Sequence, residues 1–330
     1  MPGNADFTAV ITRTLQAHGD EIIDGVSGQN ALLWLFKSRG NLKVISGGRT
    51  ITSPLIYGLN TSFKSYAKYG TVATPDPDII TRSEYGVRIV GGSIVISWLE
   101  EAQNAGDREK LLDYGEEKKQ ESIISMGEAM ASQLWTVAPS ATDFNSLPQQ
   151  ISDSPSTDTT ANVGGIDPAT TVVVGSVTRY PWRNATYTTA VTAFNTASAG
   201  LTALSQILND ASFGPHGPTV FVTTKAIWQL YDVGQAGNRR YTHADLADAG
   251  FQNLDYAGKP MLADELARTA HVYAINTDGI GITVLRRGNF AISPKVQAAN
   301  QFADNILMYA FGNIVLRDRR TQGVVTNITG

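Results

Sequence analysis

"GGSIVISWLEEAQNAGDREKLLDYGEEKKQESIISMGEAMASQLW", Gly91 to Trp135, passes from one periodicity to another within a few residues. Its start belongs to the phrase "YGVRIVGGSIVISWL", where valine, isoleucine and tyrosine punctuated by glycine predict a strand. Gly106 and Asp107 then give a helix start, since Asp107 can cap and acidic first turns suit the positive end of the helix dipole. Ile123, Met130 and Leu134, with Ile124 and Trp135 beside them, form an apolar face at helical spacing, and Pro139 closes the run. The first half, 109 to 121, is nearly all charge apart from Leu111, Leu112 and Tyr114. At ~1.5 Å per residue the helix over 107–135 is about 40 Å long, a spine across a whole domain. Gly115 and Gly127 each lower its intrinsic stability by about 1 kcal/mol relative to alanine, which points to close packing or curvature there.

Upstream, residues 1–30 are polar with scattered apolar positions and read as a surface-draped arm. "ALLWLFKSRG" predicts a short buried helix over 31–37, stopped by Gly40. "NLKVISGGRTITSPLIYG" and "TSFKSYAKYGTV" have the β composition of the strand phrase that follows them. Between the last two lies "ATPDPDIITRSE", whose Pro75, Asp76, Pro77 and Asp78 are loop-tip chemistry. The pieces make a long hairpin with its tip near Asp76. A two-stranded ribbon alone is marginal in water, so its apolar face needs cover from its own core or from a neighbouring chain.

Downstream, 138–162 is loop by composition, and "VGGIDPATTVVVGSVTRYPWRN" places a short buried strand at Val172 to Val174. A second helix is expected over 188–209, with Val191, Phe194, Leu201, Leu204, Ile207 and Leu208 at helical spacing and "FGPHGP" as its stop. "TVFVTTKAIWQLYDV" reads as a buried strand running into a short helix. "AGKPMLADE", "AHVYAINTDGIGITVLRRG" and "NILMYAFGNIVLRDRRTQGVVTNITG" supply the remaining strands. No internal repeat is present.

The 330 residues allow roughly two domains of about 150 residues or one elaborate domain. A formal charge of −4 lacks the basic footprint of a protein that grips many phosphates. Cysteine is absent, which removes disulfides, thiolate metal sites and thiol catalysis. No signal-peptide pattern and no apolar run of membrane-spanning length occurs, so the expectation is a chain without membrane contact.

Candidate chemistry is thin. Ser65 and Lys68 match Ser-x-x-Lys, the pattern of serine acyl-enzymes, but a strand there would put them on opposite faces, and the Ser-Asp-Asn and Lys-Thr-Gly partners are missing. The four histidines, His18, His216, His243 and His271, lack helical metal spacing and read as loop or surface residues. Asp76 and Asp78 lack the rest of a calcium loop, and "SGGRT" lacks the lysine of a phosphate loop. Arg239-Arg240, Arg286-Arg287 and the run with Arg317, Arg319 and Arg320 are the basic clusters; they neutralise carboxylates of a neighbouring chain, touch nucleic acid, or are solvated loop ends. The residues predict no catalytic site, cofactor or metal.

In order, "LLWLFKSRGNLKVISGGRTITSPLIYG", "GGSIVISWLEEAQNAGDREKLLD", "VGGIDPATTVVVGSVTRYPWRN" and "NILMYAFGNIVLRDRRTQGVV" resemble the major capsid proteins of tailed phages, of the Hong Kong 97-like fold shared with encapsulins. The resemblance spans nearly the whole chain. It implies an α+β fold with an N-arm and first helix over 1–44, an extended hairpin E-loop over 45–96, and a peripheral domain over 97–187 and 284–318 built on the spine helix. An axial domain over 188–283 and 319–330 completes it. It further implies self-assembly as pentamers and hexamers into an icosahedral shell, in a virion put together in a bacterial cytoplasm. Scaffolding protein, portal and decoration proteins are implied partners, with non-specific contact to packaged double-stranded DNA. Subunit-contact candidates are Lys64, Tyr66, Lys68, Tyr69, Asp76, Asp78, Arg82 and Glu84 on the E-loop, and Trp182, Arg183, Arg239, Arg240, Arg286, Arg287, Arg317, Arg319 and Arg320 elsewhere. The family often has a Gly-Leu element after the spine where this chain has "SLPQQISDSP", so that loop reads as local decoration. The early E-loop implies that no scaffolding segment is included: it is a separate protein or has been removed by processing. Lys64 and Lys68 have no motif selecting either for isopeptide crosslinking. An encapsulin-type compartment shares the fold, and a Ser-x-x-Lys hydrolase is the rival of another class.

Overall fold

The computed structural model describes residues 30–60, 62–74, 79–104, 108–158, 163–174, 176–195, 199–234, 253–299 and 301–329, without the side chains of 101, 103, 104, 108–117 and 119. Two compact units emerge, one from Met1–Arg49, Val87–Ser146 and Gly281–Ile314, the other from Thr50–Gly86, Leu147–Ile280 and Val315–Gly330.

In the first unit a six-stranded sheet is organised around the 14-residue strand Ala303–Leu316. On one side it pairs antiparallel with Arg88–Ser97, from Ala303 opposite Ser97 to Gly312 opposite Arg88. On the other it meets the short strands Val296–Gln297 and Ala291–Ile292 and then Ile280–Leu285, which pairs parallel with Leu42–Ile45. Strand geometry sends alternate side chains to opposite faces. Val90, Ile94, Ile96, Ile306, Met308 and Ala310 therefore fall together and are buried.

The long helix Arg108–Trp135 packs on the strand Arg88–Ser97. Of its expected apolar face, Ile123, Met130, Leu134 and Trp135 are buried, joined by Met126 and Ala131. Ile124 is exposed, because one residue turns about 100° around the axis and carries it off the buried stripe. The start signal at Gly106 and Asp107 lies outside the described residues, as do the side chains of 108–117 and 119 in the charged turns. A separate helix, Trp98–Asn104, begins where the strand ends. The Ser97 hydroxyl accepts the Leu99 amide at 3.3 Å, in the manner of a cap. The first helix, Ala31–Ser38, is capped by Asn30, whose side-chain oxygen accepts from the Leu32 and Leu33 amides at 2.9 and 3.2 Å. It buries Leu32, Leu33, Leu35 and Phe36 and ends at Ser38, with Gly40 at φ 68° just beyond.

The second unit holds a six-stranded sheet in the order Ala185–Tyr187, Gly323–Val325, Val272–Ile275, Val220–Thr223, Lys259–Ala263, Asn253–Tyr256. Val220–Thr223 sits between two partners and is wholly buried. The helices Gly200–Asp210 and Lys225–Gly234 add Leu204, Ile207, Ile227 and Tyr231 to the core with Phe221, Met261 and Val325.

Four local expectations are corrected. The helix expected over 188–209 starts at Gly200. Val191 instead bridges Ile328 beside the closing strand, so Val191 and Phe194 reach the core without being helical. The apolar strand Val172–Val174 forms, paired with Val177–Arg179, but it is not buried: no other strand joins the pair among the described residues, and Val173 is 64% exposed. The β-rich phrase 61–72 contains no strand among its described residues and is held by turns, with the Tyr66 hydroxyl donating to the Ser62 carbonyl at 2.7 Å. The antiparallel ribbon comprises Thr50–Ile56 and Ile80–Gly86, whereas Arg88–Ser97, expected as its continuation, belongs to the sheet of the first unit.

The two glycines of the Gly-Gly-Ile-Asp phrase have a specific task. Gly164 and Gly165 lie at φ 75° and 77°, and the Gly164 carbonyl accepts the Glu84 amide at 2.9 Å. A Cβ at Gly164 would stand 2.8 Å from the Tyr85 hydroxyl. The turn and the close approach both require glycine.

Candidate functional site

The ribbon is anchored at its base and uncovered beyond it. Ile51, Ser83 and Tyr85 are buried, and the Tyr85 hydroxyl donates to the Leu316 carbonyl at 3.0 Å. Burial pushes the Tyr85 phenol well above its ordinary range, so it stays a donor. Farther out, Ile56, Leu59, Val72 and Ile80 are exposed, and Phe63 and Tyr69 are 87% and 89% exposed. Burying a large apolar side chain is worth about 1.5–3 kcal/mol. The outer ribbon thus carries unused apolar surface of the kind that marks an interaction site.

A second open apolar surface lies on the sheet of the first unit. Ile89 and Val95 share a face with Leu307 and Val296 through the registers Ile89–Phe311, Ser93–Leu307 and Val95–Asn305–Val296, and all four are exposed. The sequence contained its signal, since Ile89 and Val95 alternate with the buried Val90, Ile94 and Ile96 and make the strand apolar on both faces. Beside it Trp98 meets Phe302 edge-on at 5.6 Å and donates to Asp304 at 2.9 Å.

Arg319 joins three stretches of the second unit. Its side chain is fully buried and donates from Nε to the Gln150 carbonyl at 2.9 Å, from Nη1 to the Trp182 carbonyl at 3.4 Å, and to the Asp158 carboxylate. Burial lowers its pKa, and the Asp158 hydrogen bond and charge oppose that. Trp182, also fully buried, donates to the Val163 carbonyl at 2.7 Å. Both had been expected at subunit contacts. With no accessible surface and partners within their own unit, Arg319 and Trp182 are core residues instead.

Asp153 forms a second clasp, accepting from Arg268 at 2.6 Å and facing His271 Nε2 at 3.2 Å, while His271 Nδ1 lies 2.5 Å from the Thr269 carbonyl. His271 is thus buried and partnered, a correction to the expectation of a loop or surface histidine. Burial raises the Asp153 pKa, but hydrogen bonds and charges from His271 and Arg268 outweigh it and hold the carboxyl below its ordinary range. A depressed folded-state pKa stabilises above the unfolded value and loses that contribution as pH falls through the folded one. Asp153→Asn is therefore expected to lower the melting temperature at pH 7, and the gap to the unsubstituted chain should narrow below about pH 4. A pH series of thermal melts checks this; a gap of constant size overturns it.

Among the other contact candidates, Lys64, Lys68, Tyr69, Arg82, Glu84, Arg286 and Arg287 are exposed. Lys64 lies over the Tyr66 ring and Lys68 over the Tyr69 ring, at 5.6 and 5.4 Å, and Arg82 pairs with Glu84 at 2.7 Å. Tyr66, Arg183, Arg317 and Arg320 are half-buried, with Arg183 stacked 3.7 Å over Tyr180 and burial lowering the pKa of Arg317. Asp76, Asp78, Arg239 and Arg240 lie outside the described residues.

Ser65 and Lys68 sit exposed in the irregular outer ribbon, so the strand expected there is absent, and among the described residues no base is hydrogen-bonded to the hydroxyl. A groove of about 420 Å³ between the long helix and Val90–Val95 holds Lys118 and Glu121, which pair at 3.2 Å. Among the described residues no cluster of metal-ligating side chains occurs, and no helix is long and apolar enough to cross a membrane.

No protein-family model and no curated protein matches the sequence. Solved structures do. The capsid asymmetric unit of cyanophage A-1(L) is similar over 89% of this chain and 92% of that one, at 15% identity and TM-score 0.60. The capsid of a native GTA particle is similar over 88% and 89%, at 11% identity and TM-score 0.55. The holo-SrpI encapsulin complex from Synechococcus elongatus is similar over 89% and 87%, at 9% identity and TM-score 0.52. The chain therefore has the α+β, Hong Kong 97-like fold of tailed-phage capsid proteins, as its sequence phrases led us to expect.

Proposed function

We propose that this chain is the major capsid protein of a tailed phage, assembling as pentamers and hexamers into an icosahedral shell around double-stranded DNA. The observation that carries this reading is the ribbon, locked at its base by Tyr85 yet presenting Phe63 and Tyr69 almost wholly to solvent. Cover for that surface comes from a sister subunit, and the open sheet face of Ile89, Val95, Leu307 and Val296 gives each subunit a second apolar contact. Obligate interfaces of this kind bury on the order of 2,000 Å² or more, so the shell draws its stability from many repeated contacts. Similarity to phage capsids across about nine-tenths of the chain supports the same reading.

On this reading the ribbon is the E-loop, Arg108–Trp135 is the spine helix of the peripheral domain, and the sheet around Val220–Thr223 belongs to the axial domain. Scaffolding, portal and decoration proteins are its partners, the virion its location, and assembly rather than catalysis its activity. The encapsulin similarity supplies the alternative of a shell around protein cargo.

Expression of the chain, followed by sedimentation and negative-stain microscopy, tests the proposal. Closed particles of uniform size are expected, with DNA in those recovered from infected cells. A compact solitary subunit under every assembly condition tried overturns it, and particles holding an enzyme without DNA transfer the chain to the encapsulin class.

A further inference from the structure

A cationic edge in the first unit has no use in the fold described so far. Leu42–Ile45 is the outermost strand of its sheet, paired among the described residues only with Ile280–Leu285. The pairing is parallel, with Lys43 opposite Thr283 and Ile45 opposite Leu285, so both strands leave the sheet at the same end. There Arg286 and Arg287 follow one strand in a short 3-10 turn and Arg49 follows the other. All three arginines are exposed, as is Lys43 on the edge itself. Neither 31–49 nor 279–303 contains an aspartate or a glutamate, and Asp278 lies at the opposite end of Ile280–Leu285. Among the described residues none of these four cations makes an ion pair.

The fold does not need this charge. A lysine on an edge strand keeps that edge from pairing with another chain, which accounts for Lys43 alone. Three exposed arginines beside it add mutual repulsion in a chain whose formal charge is otherwise −4, and a polyanion would relieve it. The patch also lacks what protein contacts are built around: no Trp, Tyr or Phe occurs in 37–49 or 279–289. At ~3.3 Å per residue, Lys43 and the level of Arg286 stand about 10 Å apart along the strands. That distance is the rise of about three phosphates on one strand of a duplex. We propose that Lys43, Arg49, Arg286 and Arg287 form a contact for the phosphate backbone of double-stranded DNA, and that this edge is the face the subunit turns to the packaged duplex. This rests on the shell reading above and names the residues that meet the DNA. The contact is independent of base sequence, because it offers cations to phosphates and no element that enters a groove.

Salt dependence tests it. The full-length unassembled subunit is titrated against a short labelled duplex, and binding is read by fluorescence anisotropy. Four phosphate contacts give a slope of log K against log salt of about −3.6, so binding should weaken roughly 150-fold from about 50 to 200 mM KCl. Arg286→Gln with Arg287→Gln should halve the slope to about −1.8 and leave the melting temperature unchanged. Arg82→Gln with Lys225→Gln, exposed cations of the second unit, should leave the slope as it was. A second duplex of unrelated sequence should bind equally. In DNA-filled particles, acetylation of Lys43 by acetic anhydride, read by mass spectrometry, should be lower than in DNA-free particles. No binding at the lower salt, an unchanged slope in the Arg286 and Arg287 variant, or equal acetylation in the two particles overturns the assignment and leaves the shell reading intact. Tighter binding of an oligoglutamate peptide than of a duplex of equal charge would assign the edge to an acidic protein segment and also overturns it. Failure of the unsubstituted chain to form any particle overturns both readings.

Discussion

Arg319→Met is expected to lower the melting temperature of the unassembled subunit by about 10 °C. Arg319 is fully buried and serves three acceptors on separate stretches of one unit: the Gln150 carbonyl, the Trp182 carbonyl and the Asp158 carboxylate. Methionine fills similar volume but donates nothing, so two carbonyls and a mostly buried carboxylate lose their partner. Removing one member of a buried ion pair destabilises by about 3–5 kcal/mol. Asp158 keeps some water contact, with 17% of its side chain accessible, which places the loss toward the lower end. In a unit of this size each kcal/mol moves the melting temperature by roughly 2–4 °C. Adding Asp158→Asn removes the stranded charge, so the double variant should melt above the single one. Differential scanning calorimetry decides: a single variant within about 2 °C of the unsubstituted chain would mean that the guanidinium is not holding these stretches together.

That residue also marks the limit of sequence reading. "RDRR" identifies a basic run, but which arginine turns inward depends on how the chain leaves Ala303–Leu316 and enters Gly323–Val325, a register no local pattern specifies. The long helix is legible because 28 residues give periodicity room to repeat; of the five apolar positions expected on its face, Ile124 is the one left exposed. Shorter signals were ambiguous. The spacing of Val191 and Phe194 fits a helix, yet the backbone there pairs with the chain end, and Gly200 lies so close to the Phe194 carbonyl that a side chain has no room. Val172 to Val174 shows the complementary weakness: an apolar triplet predicts a strand but not what covers it. The turn at Ala257 and Gly258 carries no clear hairpin signature in the sequence. Both residues lie at positive φ, 52° and 74°, as a two-residue loop requires, and alanine at the first position conceals the usual signature. The candidate site is legible as a β-rich ribbon, but the phrase 61–72 has no strand among its described residues, because aromatic composition without a pairing partner does not make a ladder.

Phe63→Asp combined with Tyr69→Asp is expected to abolish shell assembly at concentrations where the unsubstituted chain assembles, while leaving the subunit itself as stable as before. Neither side chain supports its own chain's core: both are almost fully exposed, and the ribbon is fixed by Ser83, Tyr85 and the Gly164 turn at its far end. Substitutions at such positions usually change folding stability by less than about 0.5 kcal/mol. In an assembled shell the same two rings would be covered, contributing roughly 1.5–3 kcal/mol each, and two carboxylates in their place would add desolvation without a partner. With tenfold in equilibrium for each 1.4 kcal/mol, the concentration needed for assembly should rise on the order of a hundredfold or more. Phe63→Leu with Tyr69→Phe keeps most of the apolar area and should assemble close to normally. Sedimentation across a concentration series, beside thermal melts of the free subunit, separates the two effects. Particles formed by the aspartate variant at the unsubstituted concentration would mean that the outer ribbon remains in solvent in the assembly, and the apolar surface that carries the shell reading would then need another occupant.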